Sequence, residues 1–304
     1  MIKTALFAAF GAFLLSGPVA AFDDLDTTLQ SLKDAQSKND VSAVKKLAPQ
    51  VYAIAAKTIS EPEPQAADAK ADWAKRVAAV RQETEDAAYA VYAVAAQAKP
   101  AETVELMAML ESLNPKSQYL EQGYENYFYA LRQLKQEAKI VPLAEKGLVN
   151  FPASPDLLGE LASAAMAKNQ PDRALGFARR EIAAFQQNKP DWLSDEDWDR
   201  RKTALLGGGY YIAGVLTAQK GVYQESDTDL RAALPLIKGS AAMMGPALFY
   251  LGLDNYRLGK TANNKKQMLE GVSFSQQAAQ VPGALQQQAS HNYSMFKDEA
   301  DHMR

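Results

Sequence analysis

The residues of this chain that could do chemistry are few, and the two histidines are the first to consider. His291 and His302 are eleven positions apart, which is about three turns of a helix. About 16 Å therefore separates them along a helix axis, at roughly 1.5 Å per residue. Two side chains that far apart cannot bind one metal ion within a single chain. The histidines therefore predict neither a metal site nor a catalytic pair.

Three other short patterns resemble catalytic or ligand-binding motifs without their context. Ser42 and Lys45 match a serine–lysine nucleophile pattern, but the motifs that accompany it in enzymes are missing. The glycine run at 207–209 is not followed by the Gly-Lys-Ser/Thr of a phosphate-binding loop, so close helix packing explains it better. The acids between 191 and 199 lack the glycine turn of a calcium loop and suit a helix start capped by Ser194. We therefore expect no catalytic residue, no metal, no cofactor and no enzyme activity.

The composition favours a helical protein and argues against nucleic acid as a partner. The 304-residue chain is 47% apolar, rich in alanine, glutamine, leucine and lysine, and poor in β-branched runs, which predicts an all-α fold. Its 33 basic and 36 acidic residues give a net charge of −3, whereas nucleic-acid binding needs a basic surface. Because the chain has no cysteine, its stability depends on apolar burial without disulfides.

The first 21 residues have the pattern of a cleavable secretory signal. Lys3 gives a positive start, an apolar run covers residues 4–15, and Val19 and Ala21 suit signal peptidase before the Ala21/Phe22 bond. The run is too short to span a bilayer as a helix. We expect export with cleavage after Ala21, to the periplasm or, as the alternative, to the medium. We expect no integral membrane span in the mature chain.

One stretch, residues 210–233, shows how most of the chain is organised. Large residues such as Tyr210 and Leu230 recur every three or four positions, and small residues such as Gly214 let a second helix come close. A short break at Gly221 separates the two halves. The stretch therefore predicts a helix–turn–helix unit of about 34 residues, and similar units recur along the chain. Because one helix pair cannot bury its apolar face alone, the pattern predicts stacked repeats.

The placing of bulky, small and turn residues in these units resembles the tetratricopeptide repeat (TPR) family. The Leu-Asn-Pro that ends at Pro115 is similar to a frequent ending of the second helix in that family. Ser226 and Asn264 depart from the pattern, since the family usually has alanine there. The resemblance covers residues 84–278. It implies a right-handed superhelical α-solenoid with a C-terminal capping helix, of the exported bacterial type.

On this basis we expect five parts along the chain. They are a signal peptide at 1–21, a divergent helical pair at 22–57, a linker at 58–71, a solenoid at 72–282 and a capping helix at 283–304. Within the solenoid, the expected repeats are 84–117, 121–154, 155–188, 207–240 and 245–278, with an insertion at 189–206. The linker is assigned from its proline- and acid-rich composition, and the cap follows the break at Pro282 and Gly283.

The resemblance also implies where a partner would bind. In TPR proteins the first helix of each pair lines a concave groove, and its inward-pointing residues hold the ligand. Tyrosine, phenylalanine, methionine and arginine carry binding energy at interfaces, although some of these side chains are expected only to pack between repeats. Carried over to this chain, the groove would be lined by Glu125, Tyr129, Arg132, Ser163, Met166, Tyr211, Val215, Gln219, Phe249, Leu253, Tyr256 and Arg257.

We therefore expect an exported, non-catalytic scaffold that binds a protein or peptide partner through this groove. Cell-envelope assembly or secretion are settings suggested by analogy with the family. A helical protein that binds a small ligand or lipid stays open as an alternative, as do a wall-lytic enzyme on a helical scaffold and a homo-oligomer.

Overall fold

The computed structural model describes residues 19–187 and 189–303, with side chains from Asp24 onward. No β-strand occurs in these residues, which confirms the predicted all-α class. The predicted signal peptide lies outside the described residues except for positions 19–21, which belong to the first helix. The helices are α1 Val19–Ser37, α2 Val41–Ile59, α3 Ala67–Ala95, α4 Pro100–Leu113, α5 Gln118–Gln133, α6 Ile140–Asn150, α7 Pro155–Ala167, α8 Pro171–Gln186, α9 Asp195–Gln219, α10 Tyr223–Ala233, α11 Ala241–Thr261, α12 Lys265–Gln280 and α13 Gln286–His302; a 3-10 turn, Glu137–Lys139, precedes α6.

The described chain divides into two compact units, and the boundary between Ala130 and Leu131 falls within α5. In the first unit, α1, α2 and α3 pack on one another, and α4 packs on α2 and α3. Their facing sides bury Leu32, Val51 and Val80 completely. Apolar burial at helical spacing, as the sequence predicts, is therefore what holds this unit together.

The proline-rich segment predicted as a linker at 58–71 contains fewer non-helical residues than its composition suggests. Helix α2 continues to Ile59 and α3 begins at Ala67, so the connection is limited to residues 60–66. Two ion pairs join this connection to α3: Glu63 pairs with Lys70 at 2.7 Å, and Glu61 pairs with Arg76 at 3.6 Å.

In the second unit, each helix packs on the helices that precede and follow it. Helices α7 and α8 form one pair, α9 and α10 the next, and α11 and α12 a third. Each second helix also packs on the first helix of the following pair, and α12 packs on α13. A row of contacts joins the first helices, α7 to α9 to α11, and continues to α13. The predicted units 155–188, 207–240 and 245–278 overlap these three pairs.

The same turn joins the two helices of five pairs across the chain. The amide N–H of the residue after each left-handed position donates to the carbonyl five positions earlier, as in Gln170 to Ala165 and Val222 to Thr217. This geometry ends the first helix and suits asparagine or glycine, which tolerate a positive φ. The left-handed residues are Asn39, Lys135, Asn169, Gly221 and Asn263, with φ between 50° and 76°.

The glycine run at 207–209 lies inside α9, where it allows close packing. A Cβ added at Gly207 would meet Leu236 at 3.0 Å, and one at Gly209 would meet the Glu181 carboxyl at 3.0 Å. Helix α9 begins at Asp195, so residues 195–206 of the predicted insertion at 189–206 extend this helix at its N-terminus. The predicted cap is confirmed, because the Asp197 amide donates to Ser194 Oγ at 3.0 Å.

Buried charges lie where α7, α8 and α9 meet. Asp156 and Arg201 form an almost fully buried ion pair at 2.9 Å. Glu181 is only 2% exposed, and its carboxyl group lies against Gly159 and Gly209. Burial, and to a lesser degree the nearby negative charge of Asp156, raises the pKa of Glu181 to about 8. Glu181 is therefore mostly protonated at neutral pH.

Helices α11 and α12 approach each other more closely than side chains would allow. A Cβ added at Gly271 would lie 2.6 Å from the backbone nitrogen of Tyr256 and 2.7 Å from the carbonyl oxygen of Gly252. A Cβ at Gly259 would lie 2.6 Å from the backbone nitrogen of Met268. Because the obstructing atoms belong to the backbone, a side chain here would force the helices apart.

In the part of the chain that the structure describes, no helix is long and apolar enough to cross a membrane.

Substituting Gly271→Ala should lower the free energy of unfolding by at least about 2 kcal/mol, since the added methyl group overlaps backbone atoms of α11. Gly176→Ala is the matched control, because nothing lies within 4 Å of a Cβ at that position in α8. Alanine should stabilise the control by about 0.5–1 kcal/mol through its helix propensity. Denaturant unfolding of both variants measures these changes, and equal stability would contradict the close helix approach.

Candidate partner-binding surface

The twelve residues predicted to line a groove differ widely in exposure. Six are exposed: Glu125, Tyr129, Arg132, Ser163, Gln219 and Arg257. Three are half-buried: Met166, Tyr211 and Leu253. The remaining three, Val215, Phe249 and Tyr256, are buried and do not line an open surface.

The predicted groove residues of α5 fall on both sides of the unit boundary. Glu125 and Tyr129 belong to the first unit, where the Tyr129 ring is 61% exposed. Arg132 belongs to the second unit and pairs with Glu160 of α7, its Nη2 lying 2.6 Å from each carboxylate oxygen. Arg132 is therefore engaged by an ion pair that fastens the end of α5 to α7.

The structure brings together three of the predicted residues with one that the sequence analysis missed. Met166 of α7 packs against the same apolar cluster as Tyr211 of α9 and Tyr250 of α11. The side-chain amide of Gln219 donates to the Tyr250 hydroxyl oxygen at 3.0 Å. Val215 lies in the core beneath them. We call Met166, Tyr211, Gln219 and Tyr250 the α7–α9–α11 face, after the helices that carry them.

The surroundings of Tyr211 on this face, including Tyr250, affect its protonation. The pKa of Tyr211 is raised, first by burial of its ring and then by the charge that Tyr250 would carry. The Tyr211 phenol therefore stays protonated at physiological pH and can donate as well as accept hydrogen bonds. The face offers two phenols, one amide and one thioether, a set that suits binding.

Phe249 and Tyr256 point away from this face, toward α12 and α13. Phe249 packs with Ala278 and Ala289 in the core. The Tyr256 ring is 3% exposed and stacks on Phe296 of α13, with ring centroids 3.8 Å apart. Its hydroxyl donates to the Glu299 carboxylate at 2.8 Å. Tyr256 is therefore part of the contact that fastens α13, not of a partner-binding surface.

The other two predicted residues of α11 lie between these regions. Leu253 packs partly against the cluster formed by Tyr256 and Phe296. Arg257 is exposed, with its guanidinium carbon 5.8 Å from the centre of the Tyr256 ring. Ser163 is exposed on α7, three positions before Met166. The α7–α9–α11 face is therefore narrower than the predicted groove.

A glycine pattern in the sequence could have placed the α11 residues correctly. Gly245, Gly252 and Gly259 recur every seven positions, and a Cβ at each would contact α12 or the residue that follows it. Phe249 and Tyr256 each follow a glycine by four positions, which puts them within about 40° of the glycine stripe. Tyr250 precedes Gly252 by two positions, so it lies on the opposite side, about 160° away.

The described residues contain no group of three His, Cys, Asp or Glu side chains placed to hold a metal ion. The Nδ1 of His302 lies 2.7 Å from the backbone oxygen of Asp298, and that contact raises the pKa of His302. No protein-family model matches the chain, and no curated protein is significantly similar to it. A function for this chain is therefore inferred from the geometry of the α7–α9–α11 face.

Tyr256→Ala should lower the free energy of unfolding by about 3–5 kcal/mol, because it removes a buried ring that stacks on Phe296. Tyr256→Phe should cost only about 1 kcal/mol, the value of its hydrogen bond to Glu299. Arg257→Ala, one position away and exposed, should change stability by less than about 0.5 kcal/mol. Thermal and denaturant unfolding measure these three changes in stability. If Tyr256→Ala is as stable as wild type, the assignment of Tyr256 to the core is wrong.

Proposed function

We propose that this chain is an exported, non-catalytic α-solenoid of the TPR type that binds a protein or peptide partner. The packing order of the second unit supports the solenoid, because each helix pair packs on the next and the first helices form a continuous row. The recurring turn supports it as well, since Lys135 and Asn169 occupy equivalent turns 34 positions apart. Export is inferred from the signal pattern of residues 1–21, with the periplasm as the destination.

The observation that carries the binding proposal is the α7–α9–α11 face. It lies on the row of first helices, which is the row that lines the groove in the family that the sequence resembles. Tyr211 and Tyr250 are only half-buried, so part of each ring is available to a partner. Tyrosine side chains supply large, rigid contact areas and lose little entropy on binding. An apolar side chain of a partner peptide would pack on the two rings and on the Met166 thioether.

Substituting Tyr211→Ala together with Tyr250→Ala should weaken partner binding at least about tenfold, the effect of losing roughly 1.4 kcal/mol at an interface centre. The measurement is affinity capture from a crosslinked envelope fraction, followed by titration with the captured protein. If the double substitution lowers the melting temperature, Gln219→Glu serves instead, because Gln219 is exposed and the change adds a charge beside Tyr250.

Two control variants for this test lie on α6 and α12, each of which is the second helix of its pair. Val149→Ala on α6 and Leu269→Ala on α12 each remove an exposed apolar side chain away from the α7–α9–α11 face. Both should leave partner capture unchanged. Equal loss of capture in the controls and in the tyrosine variant would contradict this choice of surface, and capture of no protein by the wild type would contradict the scaffold function.

One cavity favours the small-ligand alternative. It measures about 410 Å³, within the usual range of roughly 300–1,000 Å³ for ligand sites, and lies between the start of α11, the end of α12 and the turn before α13. Its walls are mostly small and apolar, including Ala242, Gly245, Ala278, Val281 and Leu285. An uncharged apolar molecule would fit these walls.

Under this alternative, an apolar fluorescent dye should bind saturably to the purified protein, and Ala242→Phe should abolish the binding by filling the cavity. Ala242 is exposed, so the larger side chain does not disturb the core. Tyr211→Ala is the control and should leave dye binding unchanged. A dye that does not saturate, or that binds the Ala242→Phe variant equally well, would contradict a site in this cavity.

A further inference from the structure

The contact between α10 and α11, which we call the α10–α11 seam, contains a carboxyl group that is closed off from water. Asp254 of α11 is 0% exposed, and its carboxyl group lies beside the hydroxyl group of Ser226 of α10, which is 0% exposed as well. Neither side chain has a further hydrogen-bond partner among the described residues. Buried polar groups are nearly always paired, so this site requires a physical explanation.

The charged groups nearest to the seam are already paired with one another. Asp227 of α10 accepts two hydrogen bonds from Arg231 Nε, at 2.9 and 3.0 Å, and a third from the Asn255 amide at 2.6 Å. Arg231 also pairs with Glu270 of α12 at 2.9 Å. One cation therefore serves two carboxylates, and Asp254 receives no positive charge of its own from α10 or α12.

The other helices packed against α11 supply no counter-charge for Asp254 either. Lys220 at the end of α9 pairs with Asp172 at 2.7 Å. On the α13 side, Glu299 pairs with Lys260 at 2.7 Å. A carboxylate at position 254 would therefore be buried without a cation and beside another negative group, which is strongly unfavourable.

A protonated carboxyl group removes this conflict, because it is neutral and carries an O–H that can donate to a neighbouring oxygen. Burial raises the pKa of Asp254 to about 7; a hydrogen bond with the Ser226 hydroxyl opposes this shift in part, and the negative charge of Asp227 adds to it. The proton on Asp254 is therefore exchanged near neutral pH.

We infer that the α10–α11 seam is a proton-dependent lock, in which the seam closes with Asp254 protonated and loosens when that proton is lost. The sign follows from linkage, because the group titrates higher in the folded chain than in the unfolded chain. Its stabilising contribution is complete below about pH 4, and it is lost as the pH rises toward about 7.

Helix α11 connects the lock to the proposed binding surface, because it carries both Asp254 and Tyr250. Tyr250 lies four positions before Asp254 on this helix, about one helical turn away. Loosening the seam would therefore shift one of the two tyrosines of the α7–α9–α11 face relative to the other. This consequence rests on the proposed function, whereas the lock itself does not depend on any partner.

The test compares wild type with Asp254→Asn, which keeps the size of the side chain and cannot ionise. The unfolding equilibrium of purified protein is measured in denaturant between pH 5 and pH 8. From pH 5 to pH 8, the unfolding constant of wild type should rise roughly fiftyfold or more relative to that of Asp254→Asn. The exposed control Asp301→Asn should follow the wild-type profile. If the ratio of the wild-type unfolding constant to that of Asp254→Asn does not change with pH, the inference of a lock is wrong.

A second measurement keeps the inference testable if Asp254→Asn does not fold. In wild type labelled with ¹³C at the aspartate carboxyl carbons, the Asp254 resonance should titrate near pH 7. If every aspartate titrates below about pH 5, the inference is wrong.

Amide hydrogen exchange, corrected for its intrinsic pH dependence, should also show that α10 and α11 lose protection between pH 6 and pH 8 more than α7 and α8 do. Because none of these readouts involves a partner, failure of the lock and failure of the binding proposal are distinguishable.

Discussion

The packing of each helix pair on the next is the interaction on which the second unit depends. A single pair leaves one apolar side uncovered, and burial of that side by the following helix supplies the stabilisation that neither helix could provide alone. This explains why the row α7, α9 and α11 ends against α13, where Phe296 stacks on Tyr256. It also explains the glycines of α11 and α12, because apolar sides cover one another well only where the backbones come close.

Several of these contacts between pairs contain polar groups where an apolar core would have been simpler. The ion pair of Asp156 and Arg201, the carboxyl of Glu181 and the carboxyl of Asp254 are all buried between helices. Burial of a carboxyl group without a neighbouring cation costs stability, and it also makes that stability depend on protons. Burial raises the pKa of Glu181 and of Asp254, so the packing of the helices that carry the proposed binding residues depends on pH.

The functional proposal follows from what the exposed side of the first-helix row offers. Two half-buried tyrosines, a methionine and an amide provide contact area and hydrogen bonds, as a surface that binds a partner requires. The cavity beside the α12–α13 turn has a different character, since small apolar side chains line most of it. These two sites lie on different parts of α11, so substitutions can address them separately.

The sequence by itself determined the helical class and the start of α9, because both depend on local spacing: apolar residues recur every three or four positions, and Ser194 caps the first turn of α9. The tertiary structure decided which side of α11 enters the core and which side joins the α7–α9–α11 face. A shift of one residue turns a helix by about 100°, so Phe249 and Tyr256 enter the core while Tyr250 joins Tyr211. It alone also showed that Asp254 is buried beside Ser226 without a cation, since burial depends on neighbouring helices that local sequence does not specify.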